Sequence, residues 1–320
     1  VLNRKGQPAF KMAWILPLTI LPVFGGLLYL FVQLQPGTRK IKDKLEILKA
    51  ETKPYLKQNH EVVQNLLSEN AQMAQMAHYL AQEGDAPIYQ NTSVQYFPSG
   101  ETYYEELLAQ LKQAENFIFL EYFIVAEGRM WDSVLEILRQ KAEEGVEVRF
   151  MYDGMCCLLL LPYRYPEKIR EMGIQCKMFA PIRPALSSSQ NNRDHRKIVV
   201  IDGVTAFTGG VNLADEYINQ KLRFGHWKDT GVMIQGDAVQ NFTMMFLQMW
   251  NIGEKQPESY RPYLTPHILC RKAAGYVVPF GDCPLDDENV GEHVFLDMLY
   301  TAKKYMHIMT PYLIIGYELV

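Results

Sequence analysis

From Met12 to Val32 the chain carries no charged residue, whereas residues 38–83 are dense in Lys, Glu and Gln and hold no glycine. An apolar run of about 20 residues matches a hydrocarbon core of about 30 Å, which predicts a transmembrane helix over 12–32. Pro17, Pro22 and the pair Gly25-Gly26 would kink it, a feature that membrane helices tolerate. The charged stretch reads as a helical linker, residues 37–93, either lying on anionic headgroups at its basic start or serving as a solvated spacer. From Val94 the period alternates. Helical spacing covers Tyr103 to Ala114, Trp131 to Glu144 and Glu167 to Met172; strand-like runs cover Phe117 to Ile124, Val146 to Tyr152 and Ile174 to Phe179. This alternation predicts an α/β sandwich around a mixed, largely parallel sheet. Met155 to Tyr165, with leucines at 158–161, is apolar enough for a core helix or for a segment beside a lipid entrance.

Two further strands, Arg196 to Ile201 and Val204 to Thr208, flank Asp202-Gly203, a dipeptide suited to a tight hairpin turn. Strand alternation places His195 and Lys197 on one face and Arg196 on the other. A neutral imidazole can attack phosphorus and hold it covalently, while an ammonium beside it neutralises the non-bridging oxygens. Gly209-Gly210 lets backbone N–H groups approach a phosphate, and Asn212 offers an uncharged donor. Seven positions in one short segment therefore describe a site for phosphodiester chemistry.

The order His195, Lys197, Asp202, Gly209, Gly210, Asn212 resembles the HxKxxxxDxxxxxxGGxN signature of the phospholipase D superfamily. The longer stretches NRDHRKIVVIDGVTAFTGGVNLADEYIN and GHWKDTGVMIQGDAV are similar to those of bacterial cardiolipin synthases. The resemblance implies a phospholipase D-like fold. It also implies transfer of a phosphatidyl group from one phosphatidylglycerol to another, with release of glycerol and with neither metal nor other cofactor. By the same resemblance His195 is the nucleophile, and Lys197, Asn212, Gly209 and Gly210 bind phosphate. The histidine of a second motif protonates the leaving alkoxide. A nucleophilic imidazole also needs an acceptor for its other nitrogen, and Asp229, in Trp227 to Thr230, is the candidate. Asp202, part of the catalytic motif, is expected to fix the turn and to pair with Lys197.

Composition narrows the partners. The chain is 48% hydrophobic with a net charge of -4, which supports a sizeable core and argues against a basic nucleic-acid binder. The five cysteines form no CxxC pair, which suits reduced thiols. Arg4, Lys5 and Lys11 precede the apolar run, and Arg39, Lys40, Lys42, Lys44, Lys49, Lys53 and Lys57 follow it. The positive-inside bias thus puts the following domain in the cytoplasm of a bacterial cell, on a membrane protein expected to be multi-pass at full length.

The organisation read from these features is a membrane anchor (1–36), the helical linker (37–93), a first phospholipase D-like catalytic domain (94–253), a linker (254–275) and the start of a second such domain (276–320). The last assignment rests on an internal echo. Phe97 to Ile124 recurs as Pro279 to Ile314, with Tyr122 answering Tyr312, so the partner of His195 would fall beyond Val320. The missing half is expected in cis, from a longer chain, or from a homodimer. Two rivals share these residues: a phospholipid hydrolase and a non-catalytic membrane-anchored lipid- or partner-binding module.

Overall fold

The computed structural model describes residues 8–33, 36–180, 193–223, 225–264, 273–283, 285 and 288–310. Its first helices are α1 (Pro8–Ile20) and α2 (Pro22–Gln33). The expected single helix over 12–32 is thus broken at Leu21, where Pro22 lacks an N–H and pushes the residue before it out of the helical region. The two helices fold back on each other: the rings of Trp14 and Tyr29 meet edge-on at 5.3 Å. Gly25 lies directly against the carbonyl of Pro17, leaving no room for a Cβ. At 13 and 12 residues the helices are each about 20 Å long. Among the described residues no helix is long and apolar enough to cross a membrane. The hairpin nevertheless leaves Met12, Leu16, Ile20, Val23, Phe24 and Leu27 exposed.

Residues 37–93 are mostly helical. Helices α3 (Pro36–Thr52), α4 (His60–Glu69) and α5 (Ala71–Glu83) are punctuated by Asn59 and Asn70, whose side chains accept the amides of Glu61 and Met73 as N-caps. They are built into the domain. Leu48 of α3 is fully buried, and Gln248 donates to Thr52 Oγ1 at 2.6 Å.

The sheet contains β1 (Thr92–Phe97), β2 (Phe117–Tyr122), β3 (Glu147–Asp153), β4 (Gln175–Phe179), β5 (Ile198–Ile201), β6 (Thr205–Gly209) and β7 (Gly231–Gly236), in the order β1-β7-β6-β5-β2-β3-β4. β2, β3 and β4 are parallel, joined by crossovers through α7 (Arg129–Glu143) and α8 (Tyr165–Arg170). The pairings β2–β5, β5–β6, β6–β7 and β1–β7 are antiparallel. The sheet is therefore mixed but not largely parallel: after β4 the chain returns through hairpins, which the helix–strand alternation of residues 103–179 does not reveal.

Alternation along β2 sorts the core into two layers. Ile118, Leu120 and Tyr122 face α6 (Gly100–Leu111) and α7 with Trp131, Leu107 and Phe207. Phe117 and Phe119 face α9 (Val239–Asn251) with Phe246 and Trp250. Helix α10 (Val290–Thr301) packs its Val290 and Val294 with Leu80 of α5. The second-domain echo at Tyr312 to Ile314 lies outside the described residues, as do residues 181–192.

Asp202 and Gly203 both take left-handed backbone angles, φ 53° and 66°, as a tight hairpin between β5 and β6 requires. The Asp202 carboxylate accepts the amides of Glu115, Asn116 and Phe117 at 2.7–2.8 Å, tying the hairpin to the start of β2. This is a structural role. The expected pairing with Lys197 is not made: Asp202 caps the far end of β5 and its carboxylate is given to these three amides. Asp202→Ala, which strips three amides of a charged acceptor, is expected to cost on the order of 2–3 kcal/mol of stability while leaving anion binding intact. Thermal unfolding and phosphate titration would check both parts.

Candidate active site

β5 runs antiparallel to β2, with Glu121 beside Ile198, so the residues preceding β5 emerge at the edge where β2 and β3 end. Asp153, the last residue of β3, lies at that edge. Ligands of open α/β sheets gather at such carboxyl ends.

The expected facing holds. His195 is exposed, and its ring stands edge-on to Phe123 at 4.4 Å. Lys197 is buried, donates from Nζ to the carbonyl of His195 at 2.6 Å, and places its ammonium 5.2 Å from the Phe123 ring. Burial pushes the Lys197 ammonium down to about 8, against the opposing pull of Asp194 and Asp229. Partial desolvation and the charge of Lys197 hold His195 below the ordinary histidine range. A neutral imidazole is therefore presented beside a cation, the protonation pattern a nucleophile and its phosphate clamp require.

Arg196 turns to the other side of the sheet, where it meets the fully buried Glu121 at 2.7 Å and Asp194 at 3.4 Å. Desolvation raises the Glu121 carboxyl well above the usual range, opposed by Arg196. Asp194 donates its amide to Asp153, which also accepts the amides of Met155 and Cys156 and pairs with Arg193 at 3.7 Å. Asp194 and Asp153 are also the carboxylates whose charge opposes the lowering of His195. These neighbours were not among the residues expected from the motif. Each left a trace: Glu121 is an acid inside an apolar strand, Asp153 ends a strand, and Asp194 directly precedes the histidine.

The glycine pair ends β6 and lies close against its neighbours. The Gly210 amide is taken by the carbonyl of Thr230 at 3.0 Å, and Gly209 pairs with Gly231 in the ladder. What they provide is closeness. A Cβ on Gly210 would overlap the Asp229 carboxylate, and one on Gly209, at φ 149°, would strike the Thr230 carbonyl. Asp229 accepts from the Trp227 indole at 3.2 Å and from the Thr230 amide at 2.8 Å, and its charge acts on Lys197. Asn212 is buried, accepts the amide of Ile124 at 3.0 Å and donates to the Tyr217 hydroxyl at 2.8 Å, which leaves one amide hydrogen for a ligand.

Beyond this edge, residues 155–163 form turns rather than a core helix. Leu158, Leu159 and Tyr163 are exposed, with Leu159 at 93% and Tyr163 at 95%. Cys157 anchors the loop beneath them, its Sγ accepting the Val125 amide at 3.3 Å. Among the described residues no three His, Cys, Asp or Glu side chains are placed to hold a metal ion.

Residues 107–250 match the family model described as a cardiolipin synthase, phospholipase D-like domain. The chain belongs to the phospholipase D superfamily. A second model, the phospholipase D–nuclease N-terminal segment, matches residues 1–33, a stretch that contains the α1–α2 hairpin. An uncharacterized protein of Streptococcus mutans is 47% identical over all of this chain and 69% of its own length. Cardiolipin synthases are also similar: that of Alkalihalophilus pseudofirmus is 34% identical over 96% of this chain and 61% of its own length. That of Geobacillus kaustophilus is 31% identical over 98% and 62% respectively. The chain thus spans about three fifths of the cardiolipin synthases it matches. In this phospholipase D-like chain the matched region contains β2 to β7 and most of α9, and with them every member of the motif.

Proposed function

We propose that this chain carries one catalytic half of a phosphatidyltransferase that converts two phosphatidylglycerol molecules into cardiolipin and glycerol. The observation that carries the reading is an exposed, neutral-leaning imidazole two residues from a buried ammonium, both at the carboxyl edge of the sheet. In this mechanism a ring nitrogen of His195 attacks phosphorus, forming a P–N bond as the P–O bond to glycerol breaks. Lys197 and the spare Asn212 amide hydrogen balance the charge on the non-bridging oxygens. The leaving alkoxide takes a proton from the histidine of a second motif, in cis or from a second copy. That histidine then removes the proton from the acceptor hydroxyl, whose oxygen displaces His195. Asp229, beside Lys197, is the acid assigned to hold the second ring nitrogen of the charged intermediate.

The exposed apolar side of the α1–α2 hairpin and the leucine-rich loop support association with a lipid surface. In this reading the hairpin sits in the bacterial cell membrane and the catalytic domain lies on its cytoplasmic side.

Water competes with a lipid hydroxyl for the same intermediate, so hydrolysis is the second reading. The full-length gene product incubated with phosphatidylglycerol is expected to yield cardiolipin and glycerol in equal amounts. Phosphatidic acid as the main product would favour the hydrolase, and no turnover of the lipid would remove both enzyme readings.

A further inference from the structure

On the α9 side of the sheet, next to the catalytic edge, a cavity of about 380 Å³ lies between α3, α9 and the segment around Phe280. Its wall includes Leu45, Phe179, Met245, Met249, Ile252 and Phe280, and it reaches Arg193, Asp194, His195 and Arg196. We propose that this cavity holds an acyl chain of the phospholipid whose phosphate is bound at His195 and Lys197, an inference that rests on the phosphatidyl reading above.

Three features select this occupant. The volume falls in the range of about 300–1,000 Å³ typical of small-molecule sites. Methionine walls adapt to a flexible hydrocarbon, and burying such a chain needs no polar partner; of the lining amides, Gln248 is already given to Thr52 Oγ1 and Asn241 to the carbonyl of Pro279. Most of the acids on the lining are already engaged: Asp85 with Lys53 at 2.9 Å, Asp194 with Arg196, and Asp282 with the amides of Cys283 and Gly291. Glu83 adds one further acid.

Charge fits at the catalytic end. Both Nη atoms of Arg193 are buried and find no hydrogen-bond acceptor among the described residues, their ionic neighbour being Asp153 at 3.7 Å. A guanidinium in that state is a ready donor pair for phosphate oxygens. The lipid would then thread from an anionic headgroup at Arg193 and His195 into the cavity that both residues also line.

The probes are palmitoyl lysophosphatidylglycerol, kept below micelle formation, and glycerophosphoglycerol, which is the same headgroup without a chain. Calorimetry on the wild-type protein is expected to give at least tenfold tighter binding of the lysolipid, with affinity falling as the chain is shortened from sixteen carbons to eight. Met249→Trp from α9 and Leu45→Trp from α3 each fill the cavity from one wall. Each is expected to bring the lysolipid down to the affinity of glycerophosphoglycerol, whose own binding stays unchanged and reports that the fold is intact. Lysolipid binding that is chain-length independent, or untouched in both variants, would overturn the inference while leaving the phosphatidyl reading standing. If the wild-type protein binds neither probe, the phosphatidyl reading falls and the inference falls with it.

Discussion

His195→Ala is expected to abolish the acid-labile phosphatidyl label that a quenched reaction with phosphate-labelled phosphatidylglycerol leaves on the full-length protein. Turnover should drop by about 10⁴-fold or more, the scale on which loss of a covalent nucleophile is felt. The label is the sharper readout because it separates a nucleophile from a proton carrier. A second-motif histidine that only moves protons can be lost without removing the P–N bond at His195, although that bond then forms slowly. Label persisting in His195→Ala would place the nucleophile on the other motif and make this half the acid–base half. The fold should not confuse the result: the His195 side chain is exposed, with its ring edge-on to Phe123.

Lys197→Met is expected to do two opposite things. Anion binding should be lost, because the buried ammonium is the cation whose charge acts on the His195 imidazole. Stability should rise. The folded-state pKa of Lys197 is pushed down to about 8, so its charged form is disfavoured in the fold relative to the unfolded chain. That penalty is fully present below pH 8 and amounts to about 3 kcal/mol if the unfolded value is near 10.4. Above pH 8 the folded chain sheds the proton while the unfolded chain keeps it, so wild-type stability climbs toward pH 10. Denaturant titrations from pH 7 to pH 10 should show that climb in the wild type and not in Lys197→Met. In parallel, wild-type affinity for inorganic phosphate should fall as the pH passes 8. A variant less stable than wild type at pH 7 would mean that the ammonium is held by the fold rather than held for a ligand.

These two residues also show how far a linear reading reaches. The shared face of His195 and Lys197, and the opposite facing of Arg196, follow from strand alternation alone, and the structure keeps both. Element positions in 103–179 were legible for the same reason: period and β-branched content are local properties. Strand direction was not legible, because whether a strand pairs parallel or antiparallel depends on which neighbour it meets. β5 meets β2 across more than seventy intervening residues. The break at Leu21 was written in Pro22, but a single proline in an apolar run is compatible with either a kink or a reversal. The contact of Trp14 with Tyr29 decides for reversal.

By itself the sequence determined the chemistry on offer: a nucleophilic imidazole, its ammonium, the hairpin between β5 and β6, and an apolar start to the chain. Those are matters of residue type and short-range spacing. The tertiary structure decided what each group is for. It gave Asp202 to the amides of residues 115–117, spent the Gly210 amide on Thr230, and set Asp229 against the glycine pair beside Lys197. It also brought the charges of Asp153 and Asp194 to bear on the histidine, paired Arg193 with Asp153 and set Glu121 against Arg196, drawing on three separate segments. The reason is physical: the burial that lowers Lys197 and His195, and the distances that assign a carboxylate its partners, exist only once strands far apart in sequence share one sheet edge.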